Sequence, residues 1–179
     1  GVLRRCKAPH ITQLVGKAYD RAYAFRNATT ELYEERVHRP WPVCELKPIP
    51  FESKLISSTL ALDQENLAEL VALCEIDHSV GPVADTRGGS EAGYDRWYHF
   101  LSHQMKEYGT QRNHAEKNRS SRMSAYLHYG MVAPTKLARD VGAILAKCDG
   151  AAKYLDELLI WRELAYAFCH YRDSYEGWS

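Results

Sequence analysis

The chain lacks most of the features that would declare a function at sight. Among its 179 residues no apolar run approaches the length of a membrane span, and the opening residues lack the apolar core of a signal peptide. Residence inside the cell, with no membrane partner, is the default expectation. The five cysteines (Cys6, Cys44, Cys74, Cys148, Cys169) form no Cys-x-x-Cys pair, and their odd number argues against a disulfide framework. They read as reduced, mostly buried thiols. There is no Walker loop, no nucleophile elbow and no Cys/His zinc cluster. His99 and His103 stand four apart, but no third ligand follows at a suitable spacing, so no metal site is expected and the pair reads as surface residues. A formal net charge of zero gives no hint of nucleic acid. Repeats and low-complexity tracts are absent too.

What is present reads as helix. Apolar content of 45% is that of a globular chain, and this length ordinarily makes one domain with a respectable core. A helix is expected from about Leu14 to Val37, stopped by Pro40 and Pro42. Residues 43–62, with Pro48 and Pro50, read as connector, and Asp63 caps a short helix to Cys74 striped by Leu67, Leu70 and Val71. From Ser90 onward four helices are expected. The first runs to Tyr108 with Tyr94, Trp97, Tyr98 and Leu101 on one stripe, and a polar loop covers Asn113 to Arg119. The second starts at the serine run near 120 and closes at Gly130. The third has Pro134 in its first turn and extends to about Lys147, burying Leu137, Val141, Ile144 and Leu145. The fourth spans about Ala151 to Tyr171.

Charge is unevenly placed. Between Arg87 and Arg139 there are nine Lys or Arg against four Asp or Glu, about +5, so the remainder carries about −5. A basic stretch of this kind suits a phosphate-bearing partner, although a solvated charged face is the commoner use.

Two constellations could carry chemistry. Glu157 and Trp161, four apart in a segment without Gly or Pro, would share one helical face. A flat ring beside a carboxylate is what holds an extruded nucleobase, by stacking and by hydrogen bonds to its edge. A core ring beside a solvated carboxylate has the same spacing. Ser120-Ser121-Arg122-Met123-Ser124 would open a helix, where backbone N–H groups, hydroxyls and a guanidinium make an anion site; an ordinary serine cap reads the same way.

The order of these segments carries a resemblance. Ser120-Ser121-Arg122-Met123-Ser124-Ala125-Tyr126-Leu127-His128-Tyr129-Gly130-Met131-Val132-Ala133-Pro134 resembles the flavin-phosphate segment of DNA photolyases and cryptochromes. The helix Asp156–Tyr166 with Phe168-Cys169-His170-Tyr171 resembles their lesion-facing helix. Gly93-Tyr94-Asp95-Arg96-Trp97-Tyr98-His99-Phe100-Leu101, then Tyr108 and Arg112-Asn113, is similar to the start of the same domain. The Glu-x-x-x-Trp spacing and the ending Trp-Arg-Glu-Leu-Ala-x-x-Phe-Cys lean toward class II cyclobutane pyrimidine dimer photolyases. The likeness covers about residues 87–175.

The resemblance implies a mainly α fold. Residues 87–179 would be the N-terminal part of a helical FAD-binding domain. Residues 1–42 would be the C-terminal tail of an α/β antenna domain, and 43–86 an interdomain linker with a short helix. It implies FAD as cofactor, with Tyr108, Ser120, Ser121, Arg122, Met123 and Ser124 as its contacts and Tyr154 as an aromatic neighbour. A second, antenna chromophore would belong to a region before Gly1. Arg112 would lie near pocket and lesion, Glu157 would hydrogen-bond a pyrimidine edge, and Trp161 would stack on the dimer. The partner would be UV-damaged DNA with a flipped dimer, bound by a monomer. Arg162 and Glu163 are expected in an internal ion-pair network. The activity implied is blue-light-driven, FADH-dependent dimer splitting. The alternatives are a cryptochrome-type sensor and an inactive helical piece. A chain that begins at Gly1 either has lost a leader or is a piece of a longer protein; the resemblance implies a piece, expected to bind FAD weakly and repair nothing alone. Its four tryptophans (Trp41, Trp97, Trp161, Trp178) suggest no electron relay.

Overall fold

The computed structural model describes residues 11–39 and 66–172. The Pro40 and Pro42 stops, the 43–62 connector, the Asp63 cap, Trp41, Trp178, Cys6 and Cys44 lie outside the described residues. Every regular element among the described residues is helical and none is a strand, so the fold is mainly α. The chain divides into two compact units, one of residues 1–40 with 88–179 and one of 41–87.

In the larger unit, α1 (Ile11–Val15) and α2 (Ala22–His38) replace the single helix expected from Leu14. Gly16 is the reason: it takes φ +68°, a left-handed conformation that ends a helix and suits glycine. The smaller unit shows α3 (Leu67–Ala72), whose Leu67 and Val71 are exposed.

The chain then enters α4 (Ser90–His103), shorter than expected because Gln104 leaves the helical region; a tight turn at Met105–Glu107 leads to α5 (Tyr108–Gln111). The face that α4 buries is Gly93, Trp97 and Phe100, while Tyr98 is exposed beneath the Lys136 ammonium. Trp97 is fully buried, and its indole N–H donates to Asp140 at 2.9 Å. A buried indole needs such an acceptor. The polar loop contains one tight turn, Ala115–Lys117.

The serine run does not open a helix. Ser120 to Met123 are irregular, Arg122 takes φ +53°, and α6 covers only Ser124–His128. Arg122 in the left-handed region blocks helical continuation toward Ser120. Gly130 (φ +67°) closes α6, and Pro134 heads α7 (Pro134–Gly142). Because α7 ends at Gly142 and tightens into Leu145–Lys147, Leu137, Ala138 and Val141 are buried but Leu145 is exposed.

The last expected helix is continuous but not uniform. It comprises α8 (Asp149–Leu155), a wider π-helical turn (Asp156–Trp161) and α9 (Arg162–Tyr171). Two apolar clusters meet along it. Leu158 belongs to the larger, with Trp97, Phe100, Tyr108, Met123, Tyr126 and Tyr154; Ile160 belongs to the smaller, with Ile11, Phe25 and Ala167. Residues 11–39 thus pack directly on 88–172. Long-range bonds tie α2 there, among them Arg26 Nε to Asp156 (2.7 Å), Tyr33 Oη to the Leu159 carbonyl (3.1 Å) and Arg139 Nε to the Val37 carbonyl (3.0 Å). The thiols expected to be mostly buried are not: Cys74 and Cys169 are exposed and Cys148 is partly so. Short helical segments with apolar faces too small to bury every side chain leave such thiols outside.

Candidate functional site

An aromatic cluster floors the site. Phe100 from α4, Tyr108 from α5 and Tyr154 from α8 pack with ring centroids 5.1–5.7 Å apart, and Trp97 closes the group at 5.3 Å from Tyr154. Tyr154 and Tyr108 come together because α8 lies almost against the Met105–Tyr108 turn. Gly150 permits this: an added Cβ would fall 1.8 Å from the Met105 carbonyl oxygen.

Above the floor is a cavity of about 180 Å³ lined by Tyr108, Ser121, Met123, Ser124, Leu127, Tyr154, Glu157, Leu158 and Arg162. Tyr154 Oη lies 3.4 Å from Ser121 Oγ. The residues that approach from the 120s do so as an irregular segment followed by α6, which turns Ser121, Met123 and Ser124 inward. Ser120 and Arg122 do not line the cavity.

Glu157 supplies the negative charge. Lys153, one turn back on α8, meets it at 2.6 Å and also reaches Asp156 at 3.1 Å. Arg112 lies 3.7 Å from it, and the Arg112 guanidinium also donates to the Gly109 carbonyl. Asp156 is in turn bound by Arg26 of α2. A chain of alternating charge therefore runs Arg26, Asp156, Lys153, Glu157, Arg112. Bonding to Glu157 is the main cause that raises the Lys153 pKa. Burial, and then the charge of Glu157, push the Tyr108 phenol up; burial pushes Tyr154 up to about 12. Both phenols thus stay protonated at neutral pH and are hydrogen-bond donors there.

Trp161 is not in this cavity. Its ring is 48% exposed and lines a separate groove of about 420 Å³ with Tyr19, Asp20, Leu164, Ala165, Phe168 and Cys169. The shared face expected from four-residue spacing presumes an α-helix, in which each residue advances roughly 100°. In the wider π turn each residue advances less, about 82°, so Trp161 stops short of a full turn past Glu157 and swings roughly 70° from its α-helical bearing, toward the groove it lines. That rearrangement leaves no signal in a segment rich in ordinary helix formers.

Two further residues escaped the sequence. Lys153 holds Glu157, and its spacing four before a glutamate is an ordinary helical pair. Arg162, expected in an internal ion network, lines the cavity, with its guanidinium carbon 5.7 Å from the Tyr166 ring. His99 and His103 stack at 4.5 Å, with His103 Nδ1 against the His99 carbonyl. Among the described residues no three His, Cys, Asp or Glu side chains gather as a metal requires, and no helix there is long and apolar enough to cross a membrane.

The chemistry on offer is hydrogen bonding to an oxygen-rich ligand. Ser121, Ser124, Tyr108, Tyr154 and Arg162 line the cavity together with the apolar Met123, Leu127 and Leu158, and the Tyr154 and Ser121 hydroxyls lie 3.4 Å apart. At about 180 Å³ the cavity is smaller than the ~300–1,000 Å³ of sites that enclose a whole cofactor, so these residues fit one portion of such a molecule.

No family model matches the chain. Four curated proteins do, all named deoxyribodipyrimidine photo-lyase. That of Methanothermobacter thermautotrophicus is 34% identical over 91 residues, covering 51% of this chain and 20% of the relative. That of Potorous tridactylus is 26% identical over 103 residues, covering 57% and 19%. That of Arabidopsis thaliana is 34% identical over 80 residues, covering 44% and 16%. The chain thus spans about a fifth or less of the length of the relatives it matches.

Proposed function

From a relationship to the photolyase family that covers about half of this chain, we propose that it forms the part of a photolyase that binds FAD and a pyrimidine dimer of UV-damaged DNA. The single observation that carries the reading is the convergence of Tyr108, Ser121, Met123, Ser124, Tyr154 and Glu157 on one cavity. Those residues come from three separate stretches of the chain, and the resemblance names each of them.

A bound flavin would supply the photoexcited electron. The donor set suits its polar portion: the serine hydroxyls accept and donate to hydroxyls or phosphate oxygens, and Arg162 offers a planar fork for an anion. Lys153 and Arg112 neutralise Glu157, so the cavity can admit phosphate without facing a bare carboxylate. In this reading Glu157 orients a pyrimidine edge through its remaining lone pairs. Tyr108 and Tyr154 donate hydrogen bonds without ionising. Arg112, Lys117, Arg119 and Lys106, in the basic stretch around α5, attract the DNA backbone.

The separation of Trp161 from Glu157 favours a second reading, a light sensor that keeps the cofactor site without a lesion clamp. One experiment divides them. The longer protein of which this chain is read as a part is mixed with FAD and an oligonucleotide bearing one cyclobutane dimer, reduced, and exposed to blue light, because this stretch alone is expected to bind FAD weakly and repair nothing. Light-dependent dimer loss supports repair, and flavin photoreduction with the dimer intact supports the sensor. Failure of FAD to bind at all refutes both.

A further inference from the structure

Residues 156–161 contain no Gly or Pro, and Asp-Glu-Leu-Leu-Ile-Trp would ordinarily wind as α-helix. The π form is rare, occurring mostly as single turns inside α-helices. Something outside the segment must therefore favour it, and α2 makes two bonds to it. Arg26 grips the Asp156 carboxylate, the first residue of the turn. Seven residues further, on the same face of α2, Tyr33 donates to the Leu159 carbonyl. That carbonyl also accepts the amide of Arg162, so the Tyr33 hydroxyl engages a further lone pair of an oxygen already bonded within the turn.

We propose that α2 is a clamp on the π turn, with Tyr33 and Arg26 as positioning residues that keep Glu157 in the Tyr108 cavity and Trp161 in the neighbouring groove. Its importance for activity rests on the reading above, in which Glu157 belongs to the site. Without the clamp the turn tightens to α-helix. Tightening the four steps between them from about 82° to about 100° each rotates position 161 by roughly 70° relative to 157. Burial of the Tyr33 phenol and the nearby Glu163 charge raise its pKa, so the donor stays protonated throughout the neutral range.

The test is Tyr33→Phe, which removes one hydroxyl and keeps the ring. Two readouts on the free protein report it: the indole N–H resonances in a nitrogen-15 spectrum, and amide hydrogen exchange. The clamp predicts that the Trp161 indole signal moves while that of Trp97, anchored on Asp140, stays. It also predicts exchange about tenfold faster across 156–165, the equilibrium equivalent of one buried hydrogen bond, with α4 and α7 unchanged. A still Trp161 signal, or exchange that rises equally everywhere, overturns the proposal, since packing alone would then be holding the turn. Should Tyr33→Phe not fold, Arg26→Gln, at a partly exposed position, is read by the same criteria, and Arg26→Lys should restore the wild-type signal. Neither readout needs a ligand, so a failed clamp and a failed photolyase reading are told apart.

Discussion

Replacing Gly150 by alanine should destabilise the protein even though it puts a better helix former into α8. Alanine gains about 0.5–1 kcal/mol over glycine inside a helix. Against this, the new Cβ would stand 1.8 Å from the Met105 carbonyl oxygen and 3.0 Å from its carbonyl carbon. A carbon–oxygen contact of about 3.3 Å is the closest comfortable approach, so α8 must retreat by about 1.5 Å. The obstacle is backbone and cannot swing aside. Overpacking of this kind costs about 1–3 kcal/mol and occasionally more, and retreat also parts Tyr154 from Tyr108. The net expectation is a loss of about 2 kcal/mol, a fall in Tm of roughly 6–10 °C for a unit of this size. Gly109→Ala is the matched control. It faces the Gly150 Cα and the Lys153 Cβ at 3.9 Å, ordinary contact, so helix propensity decides and the variant should be neutral or gain a few tenths of a kcal/mol. Thermal unfolding followed by circular dichroism measures both. A Gly150→Ala protein as stable as wild type would mean that α8 and the Met105 turn do not meet this closely.

Three other outcomes follow from the charge chain and the two tryptophans. Partial burial opposes ionisation of Asp156, but hydrogen bonds from Arg26 and Lys153 outweigh it and hold its pKa below 3.8. That stability is present above the unfolded value and lost as pH falls through the folded one, so Asp156→Asn should lower the urea midpoint at pH 7 and flatten its decline between about pH 4 and 2. A parallel decline in wild type and variant would contradict this. Glu157→Gln removes one of the two causes that raise the Tyr108 pKa, so spectrophotometric titration should show one tyrosine ionising earlier, with Tyr154 still near 12. Trp161→Ala should cost under about 1 kcal/mol because its ring is half exposed, whereas Trp97→Ala should cost about 3–5 kcal/mol; comparable losses would mean that Trp161 is structural.

Helix punctuation was legible: Gly130 and Pro134 mark real boundaries, and Trp97, Leu137 and Val141 are core positions on periodicity alone. The cavity lining was legible only through the resemblance, because Tyr108, Ser121 and Tyr154 have no local signature that separates them from core and cap residues. Two things were hidden for a physical reason. Left-handed backbone at Arg122 and the π turn at 156–161 arise from long-range packing, and propensity reports only on neighbours along the chain. Gly16 and Gln104 broke helices that the apolar pattern would have continued, the first with a visible residue type and the second without one.

The bonds from α2 to the π turn join residues 126 and 130 positions apart. During synthesis at ~5–20 residues per second, α2 waits roughly 6–25 s before Leu159 is made. For that interval Phe25, fully buried once folding is complete, has no neighbour from α9 to cover it. A ribosome pausing late in the message would prolong the exposure, so α2 is the natural target for a nascent-chain chaperone, and heat shock during translation should harm this chain more than heat applied afterwards.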